Sequence, residues 1–320
     1  MVNYAGSGKY IYLNGEFVPE AEAKVHVLSG AVKYGALVFE GLVAYLDGEG
    51  RDVNVFRLPG HVARLFHSMR LMRFQHDFTP EGLHEIVLET LRRNDVRQDV
   101  HIRLAAFVEG HGQTGEKGPV GVSCSVTSRP ARSLEAKAIR CAVSSWRRID
   151  DTTLPPRIKS AANYANGRLG VMQAREDGYD EAIFLTQAGK VAEAASSCFF
   201  AVRDGQLITS EATHGILESI TRDSLIQLLA RDCARPVVER EIDRSELYLC
   251  EEAFLCGSSY EVTPIVDIDG FVLGDGQAGP LTRLAWLSYE AALRGGDGAH
   301  AHWLTPVHGA GLPRRAAGSG

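Results

Sequence analysis

Three places in the chain hold residue types that could do chemistry. In "RIKSAANYANG", residues 157–167, a single lysine, Lys159, stands among small residues with Tyr164 five positions on. It is either a solvated surface lysine or an amine that a cofactor needs. In "KVAEAASSCFF" Glu193 puts one carboxylate into a stretch of apolar and small residues. A buried carboxylate must have a partner, and a protonated ring nitrogen would serve; on a turn, the same glutamate is simply exposed. A helix starting at Ile220-Thr221 would present free backbone N–H groups and a positive dipole end, a ready site for phosphate. An ordinary capped helix has the same pattern.

Other chemistries lack their patterns. No GxGxxG follows a strand and no GxxxxGK[ST] occurs, so neither a dinucleotide nor a P-loop site is supported. The eleven histidines show no HExxH and no ligand spacing with cysteine or carboxylate, and no metal site is expected. Ser196-Ser197 is not a nucleophile elbow, because GxSxG is missing. The six cysteines form no CxxC pair and sit mostly inside apolar runs, which reads as buried free thiols in a reducing cytoplasm. A net charge of −6 with no basic run argues against nucleic acid as a partner. No apolar stretch approaches a membrane span and "MVNYAGSGKY" has no signal-peptide core, so the expected location is cytoplasmic.

The elements that would carry these residues are legible from periodicity. "YIYLNGEFVP" reads as a hairpin around Asn14-Gly15. "VNVFRL", "HIRLAAFV" and "VGVSCSVT" read as strands. "PGHVARLFHSMRLMRF" and "PEGLHEIVLETLRRN" carry apolar residues at helical spacing. "EGHGQTGEKGP" is a polar, Gly-rich loop, and "SRPARSLEA" breaks the pattern as a linker. Beyond it come a strand "IRCAVSSW", the "DDTTLPPRIKS" loop and a helix around 163–176. Short strands "EAIFLT", "SCFFAV" and "QLITS" follow, then a helix capped by Ser219, a buried strand "EEAFLCG" and a closing helix "PLTRLAWLSYEAAL". The domains expected are a small N-terminal one over 1–127, a linker over 128–135 and a large C-terminal one over 136–308, with a loose tail over 309–320.

The order of motifs resembles the branched-chain amino acid aminotransferase family, the class IV pyridoxal-phosphate-dependent aminotransferases of fold type IV. Its matching segments are "YLNGEFVPEAEAKVHVLSGAVKYGALVFEG", "HVARLFHSMRLMRF", "AVSSWRR", "KSAANYANG", "SITRDSLIQL" and "LYLCEEAFLCGSSYEVTPI", from about Tyr10 to about His308. The fold implied is α+β in two domains, the D-amino acid aminotransferase-like architecture, assembled as a homodimer or larger homo-oligomer whose site borrows residues from a second subunit. The cofactor implied is pyridoxal 5'-phosphate. Lys159 matches the lysine that holds it covalently and shuttles the proton, and Ser160, Ala161 and Ala162 suit an amine kept out of water. Tyr164 matches the tyrosine that bonds the cofactor's phenolic oxygen, Glu193 the carboxylate that pairs with the ring nitrogen, and Leu217 the residue packed on the ring face. Arg64 matches the arginine on the phosphate, and Ile220 and Thr221 the helix start that faces it. Ser258, at a usual threonine position, matches the remaining phosphate hydroxyl. The activity implied moves the α-amino group of an L-amino acid to a 2-oxo acid such as 2-oxoglutarate by a ping-pong route.

The substrate positions depart further from the family. Tyr34, Phe39, Gly41 and Arg103 match pocket positions and are kept, and Ser258 and Ser259 belong to the same substrate set. His101 stands at a usual tyrosine position, Val43 at a basic one, Gln113 at an apolar one, Ala194 at a glycine and Cys198 at an asparagine. The linker lacks the aromatics that wall a branched-chain pocket. The expected donor is therefore branched-chain-like but larger or more polar than leucine. The rival activities on the same scaffold are a D-amino acid or (R)-amine transaminase and an aminodeoxychorismate-type lyase; a non-catalytic scaffold is the remaining alternative.

Overall fold

The computed structural model describes residues 8–131, 133–233 and 235–309. Arg132 of the expected linker, and the tail beyond Gly309, lie outside the described residues. The first strands are β1 (Tyr10–Leu13), β2 (Glu16–Pro19), β3 (Leu37–Leu46), β4 (Val53–Phe56), β5 (Val100–Val108) and β6 (Val120–Ser128). Then come β7 (Ile139–Arg147), β8 (Glu181–Leu185), β9 (Val191–Ala194), β10 (Cys198–Arg203) and β11 (Gln206–Thr209). The last are β12 (Val238–Glu239), β13 (Glu252–Gly257), β14 (Glu261–Ile268), β15 (Phe271–Val272) and β16 (Leu304–Pro306). Six α-helices accompany them among the described residues: α1 (Gly30–Tyr34), α2 (Leu58–Leu71), α3 (Pro80–Arg93), α4 (Tyr164–Glu176), α5 (Ile220–Asp232) and α6 (Pro280–Leu293). One sheet runs β16-β4-β3-β5-β6-β1-β2, and a second runs β12-β11-β10-β13-β14-β7-β8-β9 with β15 on β14. This is the α+β class read from the sequence.

The hairpin forms where expected, with Asn14 and Gly15 at φ of 51° and 99°, the left-handed pair that a two-residue turn demands. The strand that organises the first sheet, β3, escaped the sequence reading. Its "LVFEGLVAYL" is interrupted by Glu40 and Gly41 where a strand pattern would be apolar, yet nearly the whole of it is buried. Side chains alternate along it. Val38, Leu42 and Ala44 pack with Val62, Leu65 and Met69 of α2 and with Leu83, Val87 and Leu91 of α3. Val43 and Tyr45 face the other way, into a core with Phe200, Phe254 and Tyr289.

Helix α4 lies against the second sheet because two glycines let it approach. A Cβ at Gly170 would collide with the Phe184 ring, and one at Gly167 would stand 2.8 Å from the Ala195 carbonyl oxygen. The segment before it crosses to the first sheet. Phe39 N–H donates to the Lys159 carbonyl at 3.0 Å, Ser160 bridges to Val38, and Lys159 N–H donates to Ser68 Oγ at 3.1 Å. Lys159 is thus fixed at its backbone by both β3 and α2. All six cysteines are free thiols, five of them buried. Among the described residues no helix is long and apolar enough to cross a membrane.

Candidate active site

A cavity of about 520 Å³ opens between the two sheets, and Lys159 and Glu193 both line it. Lys159 Nζ stands 3.0 Å from Tyr164 Oη, in the first turn of α4, and 5.1 Å from the centroid of the Phe39 ring. With the backbone pinned on both sides, only the lysine side chain is left to move. The Phe39 and Tyr164 rings lie 5.1 Å apart and wall that side.

Glu193 sits on β9, in the only part of that short strand that is charged, and is 2% exposed. Arg148 Nη2 donates to its Oε1 at 2.5 Å, Leu217 N–H to the same oxygen at 3.1 Å, and Cys198 Sγ to Oε2 at 3.6 Å. Burial pushes the carboxyl pKa up, and Arg148, the Leu217 amide and the Cys198 thiol offset part of that. The departure at Cys198 leaves a weak thiol donor on the carboxylate in place of an amide. The partner Arg148 was not foreseen; in "SSWRRID" nothing separates it from a surface arginine.

Arg64, from α2, also lines the cavity and is held by a buried carboxylate. Its Nε and Nη2 donate to Glu40 Oε1 and Oε2 at 2.8 and 2.7 Å, and its Nη1 to the Glu218 carbonyl at 2.8 Å. His61 Nδ1 shares the Glu40 carboxylate at 2.7 Å. Burial alone would raise the Glu40 pKa, but Arg64 and then His61 outweigh it and bring it down to about 2. Beside Arg64, α5 begins as expected at Ile220, with Ser219 Oγ accepting from Arg222 N–H. That cap leaves the first-turn N–H groups of Ile220 and Thr221 as the helix's orphan donors. Ile220 lines the cavity; Thr221 is buried next to it, outside the lining.

The wall from the first sheet is polar. Strand register puts Gly41 opposite Arg103 and Arg103 opposite Ser125, with His101 opposite Thr127 one step along. A Cβ on Gly41 would lie 3.0 Å from His101 Nε2, so glycine makes room for the imidazole. Burial, then the charges of Arg129 and Arg103, push the His101 pKa down to about 3, which leaves a neutral ring at physiological pH. The Arg103 guanidinium rests 3.8 Å from the centroid of the Phe39 ring. Ser258 and Ser259, between β13 and β14 of the second sheet, line the same cavity.

Of the residues singled out from sequence, Lys159, Tyr164, Glu193, Arg64, Leu217 and Ile220 meet in this cavity, and so do Phe39, Gly41, His101, Arg103, Ser258 and Ser259. Tyr34 and Gln113 do not line it. Tyr34 is 43% exposed at the end of α1, and Gln113 is exposed on the 109–119 loop. The residues that sequence reasoning missed are the buried partners: Glu40, His61, Arg148 and Arg129. A charged residue inside an otherwise apolar run, as at Glu40, was the one available signal.

The donor set suits the phosphate, ring nitrogen and aldehyde of the cofactor implied by the motifs. An arginine, a helix N-terminus, a buried carboxylate and an amine all line the one cavity. Two polar atoms, Arg148 Nη1 and Ser197 Oγ, are buried at this cavity without a hydrogen-bond partner among the described residues, as expected of a site built for a polar guest.

Comparison with known proteins shows the family. The family model described as amino-transferase class IV matches residues 37–268. A curated relative from Aquifex aeolicus, named "Probable branched-chain-amino-acid aminotransferase", is 37% identical over 301 residues, 93% of this chain and 97% of that one. The crystal structure of the branched-chain aminotransferase from Thermoproteus uzoniensis with norvaline matches with a TM-score of 0.88 at 38% identity, covering 95% of this chain and 100% of that one. The branched-chain amino acid aminotransferase from Thermobaculum terrenum, solved in its PLP-form (holo-form), matches with a TM-score of 0.86 at 41% identity, over 94% and 99% of the two chains. With fold and relatives in agreement along nearly the whole length, the chain belongs to the class IV aminotransferases.

Proposed function

We propose that this aminotransferase uses pyridoxal phosphate to move the α-amino group of an L-amino acid to a 2-oxo acid such as 2-oxoglutarate, in two half-reactions of a ping-pong cycle. The observation that carries the reading is that Lys159 Nζ, the buried Glu193 carboxylate and the Arg64 guanidinium face one cavity. When bound, the cofactor supplies an aldehyde that takes up the amino group and a protonated ring that accommodates the electron pair left at Cα. Lys159 Nζ receives the Cα proton and returns it, a general acid–base role that its hydrogen bond to Tyr164 orients. Glu193 holds a proton on the ring nitrogen, and Arg64 with the start of α5 holds the phosphate. Arg103 offers a cation to the distal carboxylate of a five-carbon acceptor.

Relatives named for branched-chain amino acids, one of them solved with N-(5'-phosphopyridoxyl)-L-glutamate, support an L-amino donor. The wall of His101, Arg103, Ser125 and Thr127 supports a donor more polar or larger than leucine. The exposed apolar residues Val25, Val27, Leu28 and Val32 beside Tyr34 support a homodimer in which Tyr34 and Gln113 serve the partner's cavity. Steady-state rates over a panel of L- and D-amino donors with 2-oxoglutarate test the assignment. Leucine, isoleucine and valine winning by a wide margin would remove the altered pocket, and a preference for D-donors would overturn the stereochemistry.

A further inference from the structure

We propose that Arg129, in the segment joining the two sheets, is a positioning residue for the substrate end of the cavity: its guanidinium sets the Ser258–Ser259 turn. The inference rests on the aminotransferase reading of that cavity. Arg129 Nη1 donates to the Ser258 carbonyl at 2.6 Å and Nη2 to the Ser259 carbonyl at 2.9 Å. Its own N–H donates to the Asp99 carbonyl at 3.0 Å, which fixes the start of the segment just after β6. A planar fork on two consecutive carbonyls determines the direction of two peptide planes at once, because each trans unit points its C=O and N–H oppositely. Ser258 and Ser259 line the cavity, whereas Arg129 grips them from outside the lining.

The turn needs such a hold. Glu261, just beyond it, has φ of +54°, a left-handed conformation that costs a non-glycine residue free energy and persists only where its surroundings impose it. The Glu261 carboxylate is buried and accepts from Tyr45 Oη on β3 and from Lys137 Nζ, and Arg129 Nη2 lies 3.0 Å from it. The first sheet, the joining segment and the turn therefore meet at one carboxylate. Arg129 also brings a positive charge to the neighbourhood of His101. Both effects bear on how substrate is seated, and among the described residues Arg129 makes no hydrogen bond to Lys159, Glu193 or Arg64.

Two variants of the holoenzyme separate the effects. R129K keeps the charge and loses the fork; R129M keeps the apolar stem and loses both. In single-turnover half-reactions followed by cofactor absorbance, the concentration of amino donor giving half-maximal rate should rise about tenfold or more in both variants. The limiting rate should stay within about threefold, and pyridoxal phosphate affinity should fall far less than donor affinity, since of the phosphate contacts only the Ser258 hydroxyl lies on this turn. The His101 ring should titrate at higher pH in R129M and not in R129K, a signature that a purely structural role would not produce. Unchanged donor affinity in both variants overturns the proposal. So does loss of cofactor binding or of folding in both, which would make Arg129 a general structural residue. A wild-type protein that binds the cofactor but transaminates nothing would instead remove the reading beneath it.

Discussion

Glu40 and Arg64 form a two-pronged ion pair, Nε and Nη2 on the two carboxylate oxygens at 2.8 and 2.7 Å, with the carboxylate fully buried and the arginine facing the cavity. The carboxylate sits in the middle of β3 and the arginine one face of α2 away, so sheet and helix jointly aim one cation. The third nitrogen, Nη1, reaches the Glu218 carbonyl two residues before Ile220. Arg64 and the start of α5 are therefore set relative to each other by hydrogen bonds within the chain itself.

Glu40→Gln should destabilise the chain by about 3 kcal/mol at pH 7, because it leaves Arg64 short of its counter-charge in a buried place. The pH dependence follows from the direction of the shift. Glu40 has its pKa lowered from 4.5 to about 2, so its stabilising contribution is complete above 4.5 and is lost as pH falls from 4.5 towards 2. Urea unfolding at stepped pH should show the difference between wild type and variant large at neutrality and shrinking across that window. A difference that stays constant from pH 7 to pH 3 would contradict the pair's role.

Glu193→Gln keeps the shape and removes the charge between Arg148 and the cavity. The limiting rate of the amino-donor half-reaction should fall by about 100-fold or more, while phosphate-end contacts keep the cofactor bound. Stopped-flow absorbance measures the rate and equilibrium titration the affinity. A variant that turns over at the wild-type rate would show that the carboxylate is only a partner for Arg148.

Gly167→Ala should cost about 1–3 kcal/mol, since the new methyl would meet the Ala195 carbonyl oxygen at 2.8 Å and backbone yields less easily than a side-chain tip. Ala195 lies two residues after Glu193, so the shift should also slow turnover. Thermal unfolding and the half-reaction rate report the two effects; a variant with unchanged stability would mean that α4 sits further from the sheet.

Elements with clean periodicity were legible in advance: the Asn14-Gly15 hairpin, α2, α3 and the Ser219-capped α5 all form where the pattern put them. The strand β3 was not, because the carboxylate at Glu40 that breaks its pattern is buried by partners from elsewhere in the chain. Candidate residues on recognisable motifs, such as Lys159 and Ile220, could be named from sequence and line the one cavity. Their buried partners could not. Arg148 and Arg129 look like any surface arginine until the fold brings Glu193 and the Ser258–Ser259 carbonyls against them, 45 and about 130 positions away. Tyr34 and Gln113 fell on matching positions, yet neither lines the cavity of its own chain, which sequence position alone does not reveal.

The most direct test is to load the purified protein with pyridoxal phosphate, reduce it with borohydride and map the labelled peptide by mass spectrometry, alongside the turnover of Lys159→Ala. The expected result is a single phosphopyridoxyl label on Lys159 and a variant with at least about 100-fold lower turnover. A label carried by another lysine, or a variant that transaminates at the wild-type rate, would contradict the assignment of Lys159 as the amine at the centre of the site.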